Sequence, residues 1–362
     1  MKKYLFSVLL LIFFSFQSGA QQSSFLILGD LHYDRLDDHD LNWLSTKPDD
    51  LRQVTQEYTV YTETNWYDFT DILRQRAHTV TPPLKAVIQL GDLSEGLAGS
   101  EEKARQMAYN VLKAIEEIQM PVPWIIAKGN HDITGPGAEQ AFQEFYVPKI
   151  REQTNNPEIK NANYSYTTGD VQITCIDPWD KNTDMVDFLE KELSASKAKF
   201  KFLAIHEPVI PVTERCWHVL RQNPERRQKL LETIARHRAI VLSAHLHRYA
   251  VVSRNTPFGP IVQVMINSVV KDRNYQNPLR VITKYGPSLA ADMPDWQPET
   301  LETRKAILAE EAKQITFFKQ TDLPGYAIIK TDGKKGTVHL EYYAAFGKKP
   351  YDKINLTKLL KP

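Results

Sequence analysis

Residues 84–92 of the chain read LKAVIQLGD, and residues 122–132 read VPWIIAKGNHD. Each segment is a short apolar run that ends at acidic, amide or imidazole side chains. The same pattern occurs at residues 24–30 (SFLILGD), 199–207 (KFKFLAIHE) and 238–247 (RAIVLSAHLH). Continuous apolar runs are typical of strands that are buried on both faces. The five runs therefore predict five buried strands, each with polar, chemically active residues at its C-terminal end.

Segments of helical character separate these runs, and the alternation of strand and helix predicts an α/β fold. The helical segments are residues 65–79, 101–119, 185–194 and 224–237. Open α/β sheets place their sites at the carboxyl ends of strands, where the polar residues of this chain are concentrated. Two further pairs of segments predict antiparallel hairpins. They are residues 164–168 with 171–176, turned by Gly169-Asp170, and residues 326–331 with 337–343.

Two segments fit neither pattern and are predicted to be insertions in a single domain that spans residues 21–362. Residues 33–64 are acidic and then rich in Thr and Tyr. Residues 271–320 begin polar and contain Pro, and their second part, residues 298–320, is predicted to be helical. We expect these insertions to border the site and to determine its substrate.

The first twenty residues have the character of a signal peptide. Lys2 and Lys3 precede an apolar run over residues 4–16, and the small residues Ser18 and Ala20 follow it. The run is short for a membrane span, so cleavage after Ala20 is expected, with export to the periplasm or the medium. The alternative is an uncleaved membrane anchor.

Composition restricts the partners of the mature chain. Among 362 residues, 45 Lys and Arg nearly balance 44 Asp and Glu, so no strong field favours nucleic acid or an anionic membrane. The chain has two cysteines, Cys175 and Cys216. Export would permit a disulfide, but nothing in the sequence brings the two sulfurs together, and we expect none. The sequence does not indicate an oligomeric state.

The residues at the strand ends form five short motifs with the composition of a metal site. In chain order they are Asp30-Leu31-His32, Gly91-Asp92, Gly129-Asn130-His131-Asp132, His206 and His245-Leu246-His247. Each motif alone is weak, because a lone Asp or His at a strand end is usually a helix cap or a surface group. Alternate residues of an extended segment point to the same side. Asp30 and His32, and likewise His245 and His247, are separated by one residue, so each pair can direct two ligands to one side. Mixed carboxylate, imidazole and amide donors suit Mn, Fe or Zn.

In this order the five motifs resemble the signature of the calcineurin-like metallophosphoesterase family, over roughly residues 25–249. The last motif of that family usually reads Gly-His-x-His, and Ala244 stands here in place of the glycine. Both histidines are kept, so we expect a tighter backbone there and no loss of metal. The resemblance implies a four-layer α/β/β/α sandwich.

The resemblance also implies a site residue by residue, with two divalent ions (Mn, Fe or Zn) as cofactors. One metal would be held by Asp30, His32 and His247. The other would be held by Asn130, His206 and His245. Asp92 would bridge the two ions. The activity implied is attack on phosphorus by a hydroxide that the two metals activate. His131 would protonate the leaving group as general acid, with Asp132 orienting its imidazole.

Within the family, three groups are disfavoured. Purple acid phosphatases carry a Tyr ligand three residues after the bridging Asp, where this chain has Glu95, and protein Ser/Thr phosphatases carry an Arg that is absent from residues 93–97. Nucleotidases with a large second domain need more chain than follows residue 249. A small-molecule phosphate ester remains the expected substrate, as a phosphatase or phosphodiesterase reaction. A non-catalytic binding module and a closed structural metal site are the alternatives, although the full set of motifs argues against both.

Overall fold

The computed structural model describes residues 22–216, 223–268, 270, 280–291, 295–344 and 347–361. The predicted signal peptide, residues 1–20, lies outside the described residues, as do residues 271–279 of the second insertion. Within the described part of the chain, no helix is long and apolar enough to cross a membrane. Cys175 and Cys216 are both buried and are free thiols.

The strands of the described residues form two sheets. In chain order they are β1 (Gln22–Leu28), β2 (Leu84–Gln89), β3 (Trp124–Ile126), β4 (Tyr164–Thr168), β5 (Val171–Ile176), β6 (Phe200–Ile205), β7 (Ile240–Ser243), β8 (Tyr249–Thr256), β9 (Gly259–Met265), β10 (Val281–Ile282), β11 (Ile315–Thr321), β12 (Gly325–Asp332), β13 (Thr337–Ala344) and β14 (Asp352–Asn355). The first sheet has the order β14-β13-β12-β1-β2-β3, and the second has the order β10-β11-β8-β9-β7-β6-β5-β4. The strands β1, β2 and β3 run parallel, and so do β5, β6, β7 and β9.

Helices occupy the connections between these strands. They are α1 (Leu41–Leu44), α2 (Pro48–Gln53), α3 (Thr59–Thr79), α4 (Glu101–Glu117), α5 (Ala138–Ala141), α6 (Val147–Thr154), α7 (Met185–Ala195), α8 (Pro224–Arg236), α9 (Leu301–Ala312) and α10 (Leu356–Leu359). Val54–Tyr58 and Phe142–Tyr146 are single π-helical turns, which make α2 continuous with α3 and α5 continuous with α6. Short 3-10 turns occur at Leu36–Asp38, His131–Ile133, Pro287–Ala291 and Pro298–Thr300.

Alternating residues of the second sheet show that its two faces are buried against different partners. In β6, Phe202 belongs to the core that the two sheets share, and its ring centroid lies 6.4 Å from that of Phe25 in β1. The next residue, Leu203, belongs to a separate core with α7 and α8. Because successive side chains of a strand point to opposite faces, one face meets the first sheet and the other meets helices.

Helices α3 and α4 bury their apolar residues in the cluster that includes the first sheet. The order of layers is therefore helix, sheet, sheet, helix, and the predicted four-layer α/β/β/α sandwich is confirmed.

The five buried strands and both hairpins are confirmed. The helical prediction for residues 298–320 is wrong in its last part, because α9 ends at Ala312 and Ile315–Thr321 pairs antiparallel with β8. That segment, ITFFKQT, combines β-branched and aromatic residues that cover an open sheet edge. Helix α3 also begins six residues earlier than residue 65, inside the segment predicted to be an insertion.

Candidate metal centre

The carboxyl ends of the parallel strands of both sheets meet at one edge of the sandwich. An isolated parallel bridge between Gly29 and Ser268 connects the two chain segments there. The loops after β1, β2 and β3 carry the first four predicted ligands, and the loops after β6 and β7 carry the remaining three. The structure brings all seven residues together, although they are spread over more than two hundred positions of the chain.

Most of the predicted ligands have an unusual backbone conformation. Positive φ angles are found at Asp30 (43°), His32 (44°), Asp92 (53°), His245 (75°) and His247 (47°). Residues other than glycine rarely adopt this left-handed region, although Asp and His do so more readily than most. Such conformations cluster at functional sites, where the surrounding structure holds them in place. These sharp turns explain how Asp30 and His32, and likewise His245 and His247, all reach the same cluster of donors.

The first group of donors consists of Asp30, His32 and His247. One ligand atom from each lies within 4.8 Å of the others. The Nε2 atoms of His32 and His247 are 3.0 Å apart, and Asp30 Oδ1 lies 3.9 Å from His247 Nε2. Two imidazole nitrogens this close to each other and to a carboxylate are well placed to share one cation.

The second group consists of Asp92, His206 and His245, and again one ligand atom from each lies within 4.8 Å of the others. The Nε2 atom of His206 lies 3.0 Å from Asp92 Oδ2, 3.2 Å from Asn130 Oδ1 and 3.2 Å from His245 Nδ1. Asp92 Oδ2 is also 3.8 Å from His32 Nε2, in the first group. The carboxylate of Asp92 therefore lies between the two groups, where a bridging ligand would be needed.

Hydrogen bonds fix which nitrogen of two histidines faces the cluster. When Glu95 is ionised, His32 Nδ1 donates to Glu95 Oε2 at 2.6 Å, and His206 Nδ1 donates to the Leu90 carbonyl oxygen at 2.8 Å. In a neutral imidazole the other nitrogen then carries a lone pair, so Nε2 of each ring is available to a metal. A carboxylate or carbonyl behind the distal nitrogen is the usual support of a metal-binding histidine.

The charge of the cluster fits a cation. Burial raises the pKa of the Asp30 carboxyl to about 7 and that of the Glu95 carboxyl to about 8. Both shifts reflect the free-energy penalty of a carboxylate removed from water, which nearby positive charge would offset. Two divalent ions would supply that charge, so the residues present fit a dinuclear centre.

His131 lies at the cluster edge, with its ring 4.7 Å from that of His32, and its side chain is 22% exposed. Its backbone N–H donates to Asp92 Oδ1 at 2.8 Å, and its Nδ1 donates to the Glu95 carbonyl oxygen at 2.7 Å. The carbonyl can only accept, so Nδ1 keeps its proton and Nε2 is the nitrogen that can exchange one.

The expected orientation of His131 by Asp132 is wrong in this structure. The buried carboxylate of Asp132 points away from the imidazole and into the turn after β2. It accepts hydrogen bonds from the backbone N–H groups of Asp92, Leu93, Ser94 and Gly129, at 2.8–3.0 Å. Asp132 therefore holds the loop that carries Asp92, and Glu95 takes the position beside His131.

We expect Asp132→Asn to lower the free energy of unfolding by about 2–3 kcal/mol, because the amide offers one acceptor where four donors converge. The measurement is equilibrium urea denaturation of the metal-free protein, so that ion binding does not contribute. Asp40→Asn is the matched control, since Asp40 caps α1 through two N–H groups and asparagine caps equally well. Unchanged stability in Asp132→Asn would contradict this structural role.

Three residues near the cluster were not predicted as site residues. Glu95 is buried and contacts His32, and its other oxygen accepts from Gln53 Nε2 at 2.6 Å. Tyr58 stacks on His32 with ring centroids 4.3 Å apart, and its hydroxyl lies 3.4 Å from His247 Nδ1. Tyr58 and Gln53 belong to the segment predicted to be an insertion, so that segment forms one side of the site.

The alanine in the last motif is accommodated by a glycine on the facing loop. A side-chain carbon at Gly29 would approach the Cβ of Ala244 to 3.0 Å and the Ile266 carbonyl oxygen to 2.8 Å. The methyl group that this chain carries at residue 244 therefore fills space that Gly29 leaves open. The two backbone segments are closely packed there.

The cluster opens into a pocket of about 290 Å³. Its lining residues are Gln53, Tyr58, Asp92, Asn130, His131, Thr213, Glu214, Arg215, His245, Leu246, His247 and Arg248. The donor groups thus lie where a small molecule can reach them.

A two-sheet sandwich with paired clusters of carboxylate and imidazole donors defines a candidate two-metal hydrolase. The family model for calcineurin-like phosphoesterases matches residues 23–249, and the chain belongs to that family. The protein is accordingly a metallophosphoesterase, an enzyme that hydrolyses phosphate esters, and its family uses dinuclear metal centres. No curated protein matches the chain in sequence.

Solved structures resemble the chain at low identity. One is PhoD, at 11% identity and a TM-score of 0.49, covering 92% of this chain and 68% of PhoD. Another is a dimetal phosphatase from Danio rerio, at 10% identity and a TM-score of 0.50, covering 92% of this chain and 98% of that one. At this identity the likeness to the second structure supports the fold alone.

Proposed function

We propose that the protein is an exported, two-metal hydrolase of small-molecule phosphate esters in which His131 is the general acid. The observation that supports this most strongly is the position of Asp92. Its carboxylate lies between two groups of buried donors, and one of its oxygens also holds the backbone of His131. The residue that would bridge the ions thereby also positions the proposed acid.

One ion would be held by Asp30, His32 and His247. The other would be held by Asn130, His206 and His245, with Asp92 shared by both. Two divalent cations in such a site polarise a phosphoryl group and make water a nucleophile at neutral pH. The mixed oxygen and nitrogen donors favour Mn, Fe or Zn.

The protein residues would divide the remaining tasks. A leaving alkoxide needs a proton, and His131 Nε2 is the nitrogen available to give it, since Nδ1 is bonded to the Glu95 carbonyl. The side chain of Glu95 also lies beside this imidazole, with Oε2 3.5 Å from His131 Nδ1.

The test is a screen of the purified protein against phosphomonoesters and phosphodiesters, after removal of metal and after addition of Mn, Fe or Zn. We expect activity only with metal restored, and two ions per chain by elemental analysis. One ion or none after reconstitution, or no hydrolysis of any ester with the metals added, would refute the proposal.

We also propose that residues 21–362 form one phosphoesterase domain in which residues 33–64 and 271–320 are insertions bordering the pocket. In support, Gln53 and Tyr58 line the pocket from the first of these segments. In the second, Arg304 donates a hydrogen bond to the carbonyl oxygen of the pocket residue Glu214.

Export is proposed on the sequence of residues 1–20. We expect N-terminal sequencing of the mature protein to begin at Gln21, because Ser18 and Ala20 are the small residues that signal peptidase requires. Mature protein that begins at Met1 and stays with the membrane would show an anchor instead. Protein that begins at Met1 in the soluble cytoplasmic fraction would exclude export altogether.

A further inference from the structure

Two arginines line the pocket beside the donor cluster, Arg215 before α8 and Arg248 directly after the last motif. Among the described residues, neither guanidinium lies within 4.0 Å of a carboxylate. Arg227 and Arg254, which are also half-buried, are paired with Glu311 at 2.8 Å, whereas Arg76 and Arg151 donate to carbonyl oxygens. The Nε atom of Arg215 is buried and has no hydrogen-bond partner in the described part of the chain. Arg215 and Arg248 differ from those other arginines because they line a pocket, where their N–H donors are available to a carboxylate or phosphate group of a ligand.

The position of Arg215 is fixed by residues outside the pocket. Arg215 lies over the ring of Trp296, at 5.9 Å from the ring centroid, and Arg304 lies over the same ring at 4.9 Å. Arg304 is fully buried, and it donates to the carbonyl oxygens of Trp296 at 2.7 Å and Glu214 at 3.2 Å. The loop that carries Arg215 is therefore tied to α9 through Arg304, and the Arg215 guanidinium lies beside the Trp296 ring.

The charge and size of the pocket suggest what the arginines bind. Among the described residues, the charged groups that line the pocket outside the donor cluster and His131 are Arg215, Arg248 and the buried Glu214, so positive charge prevails there. The volume of about 290 Å³ is close to the lower end for pockets that enclose a small molecule, about 300–1,000 Å³. It is larger than a phosphoryl group alone requires, and the donor cluster and His131 already serve that group. The arginines therefore face the remainder of the substrate.

We propose that Arg215 and Arg248 bind a second anionic group, on the leaving-group side of the substrate. The favoured substrates are then small phosphate esters whose leaving group carries a carboxylate or another phosphate. This inference rests on the proposed phosphoesterase function and specifies its substrate class. The arginines are specificity residues, and they take no part in the transfer of protons.

The test compares two esters of similar size, glycerol 3-phosphate and 3-phosphoglycerate, which differ in one carboxylate. A second comparison is propane-1,3-diol monophosphate with its bisphosphate, so that carboxylate and phosphate are distinguished. We expect the wild type to favour the more anionic ester of at least one pair by about 10–100-fold in kcat/KM, about tenfold for each charge-assisted contact. Arg215→Gln and Arg248→Gln should each reduce that ratio about tenfold, and the lysine variants should keep part of it.

Arg105→Gln is the control, because Arg105 is on α4 and pairs with Glu144 away from the pocket. An equal loss with both members of each pair would mean that the arginines hold the phosphoryl group itself and would overturn the proposal. Equal kcat/KM of the wild type for the two esters of each pair would also overturn the proposal, and it would leave the phosphoesterase function intact.

A measurement without turnover keeps the two hypotheses separate. The metal-loaded protein is titrated with ethylphosphonate and with 3-phosphonopropionate, which are not hydrolysed and differ in one carboxylate. We expect tighter binding of the carboxylate compound in the wild type and loss of this difference in the Arg215→Gln and Arg248→Gln variants. No difference in the wild type would overturn the inference, whatever esters the enzyme hydrolyses.

Discussion

Asp92→Asn should remove at least one metal ion and reduce kcat/KM by at least about 10²–10³-fold, the usual effect of losing one electrostatic contact to the transition state. The side-chain oxygen of the new asparagine can still accept the hydrogen bond from the His131 backbone N–H, because that N–H needs only an acceptor. The NH₂ group would then occupy the position of Oδ2, 3.0 Å from His206 Nε2, where it cannot ligate a cation.

The measurements are elemental analysis and ester hydrolysis with the reconstituted protein. Asp170→Asn is the matched control, since Asp170 belongs to another Gly-Asp dipeptide, Gly169-Asp170, in the turn between β4 and β5. We expect that variant to keep both ions and its activity. A fully active Asp92→Asn enzyme with two ions would exclude the bridging role.

His131→Ala should have an effect that depends on the leaving group. A nitrophenolate departs readily as an anion, so the loss with a nitrophenyl ester should be small. An alkoxide needs a proton, and with an alkyl ester the loss should approach about 10²–10⁴-fold. The measurement is kcat/KM for wild type and variant across esters of graded leaving-group pKa. Parallel dependences for the two proteins would remove His131 from the acid role.

The structure changes which neighbour should share this effect. Glu95→Gln should show a weaker dependence of the same kind, because the Glu95 carboxylate lies 3.5 Å from His131 Nδ1. Asp132→Asn should change stability without a selective effect on alkyl esters. The two variants are therefore expected to differ in opposite ways. A leaving-group effect seen only in Asp132→Asn would mean that Asp132, and not Glu95, supports His131 as the general acid.

The strands and the donor cluster could be predicted because their signal is local. An apolar run such as residues 84–90 that ends at Gly91-Asp92 indicates a buried strand followed by a sharp turn. Parallel strands then bring their carboxyl ends to one edge, so the motifs of different strands meet. The paired ligands Asp30 with His32, and His245 with His247, could be grouped by spacing alone.

Other parts of the site depend on contacts that no local pattern carries. The sequence shows Glu95 only at the position where purple acid phosphatases have a tyrosine, and its place behind His32 depends on the turn after Asp92. Tyr58 stacks on the same imidazole from a segment whose helical continuation into α3 was not recognised. The role of Asp132 depends on four backbone N–H groups that converge, three from the turn after β2 and one from Gly129, and side-chain types do not indicate this.

The distribution of the donors over both sheets has a consequence for how the enzyme would acquire its ions. Four of the proposed ligands follow strands of the first sheet and three follow strands of the second, and the first and last are separated by 217 positions, from Asp30 to His247. No partly folded chain could present the complete set, so both ions would bind only after the sandwich has closed. Once bound, they would cross-link the two sheets at the edge of the sandwich. By thermodynamic linkage, free metal at about a thousand times its dissociation constant would stabilise the closed state by about 4 kcal/mol for each independent site. The concentration of free metal would then govern the stability of the folded enzyme as well as its activity.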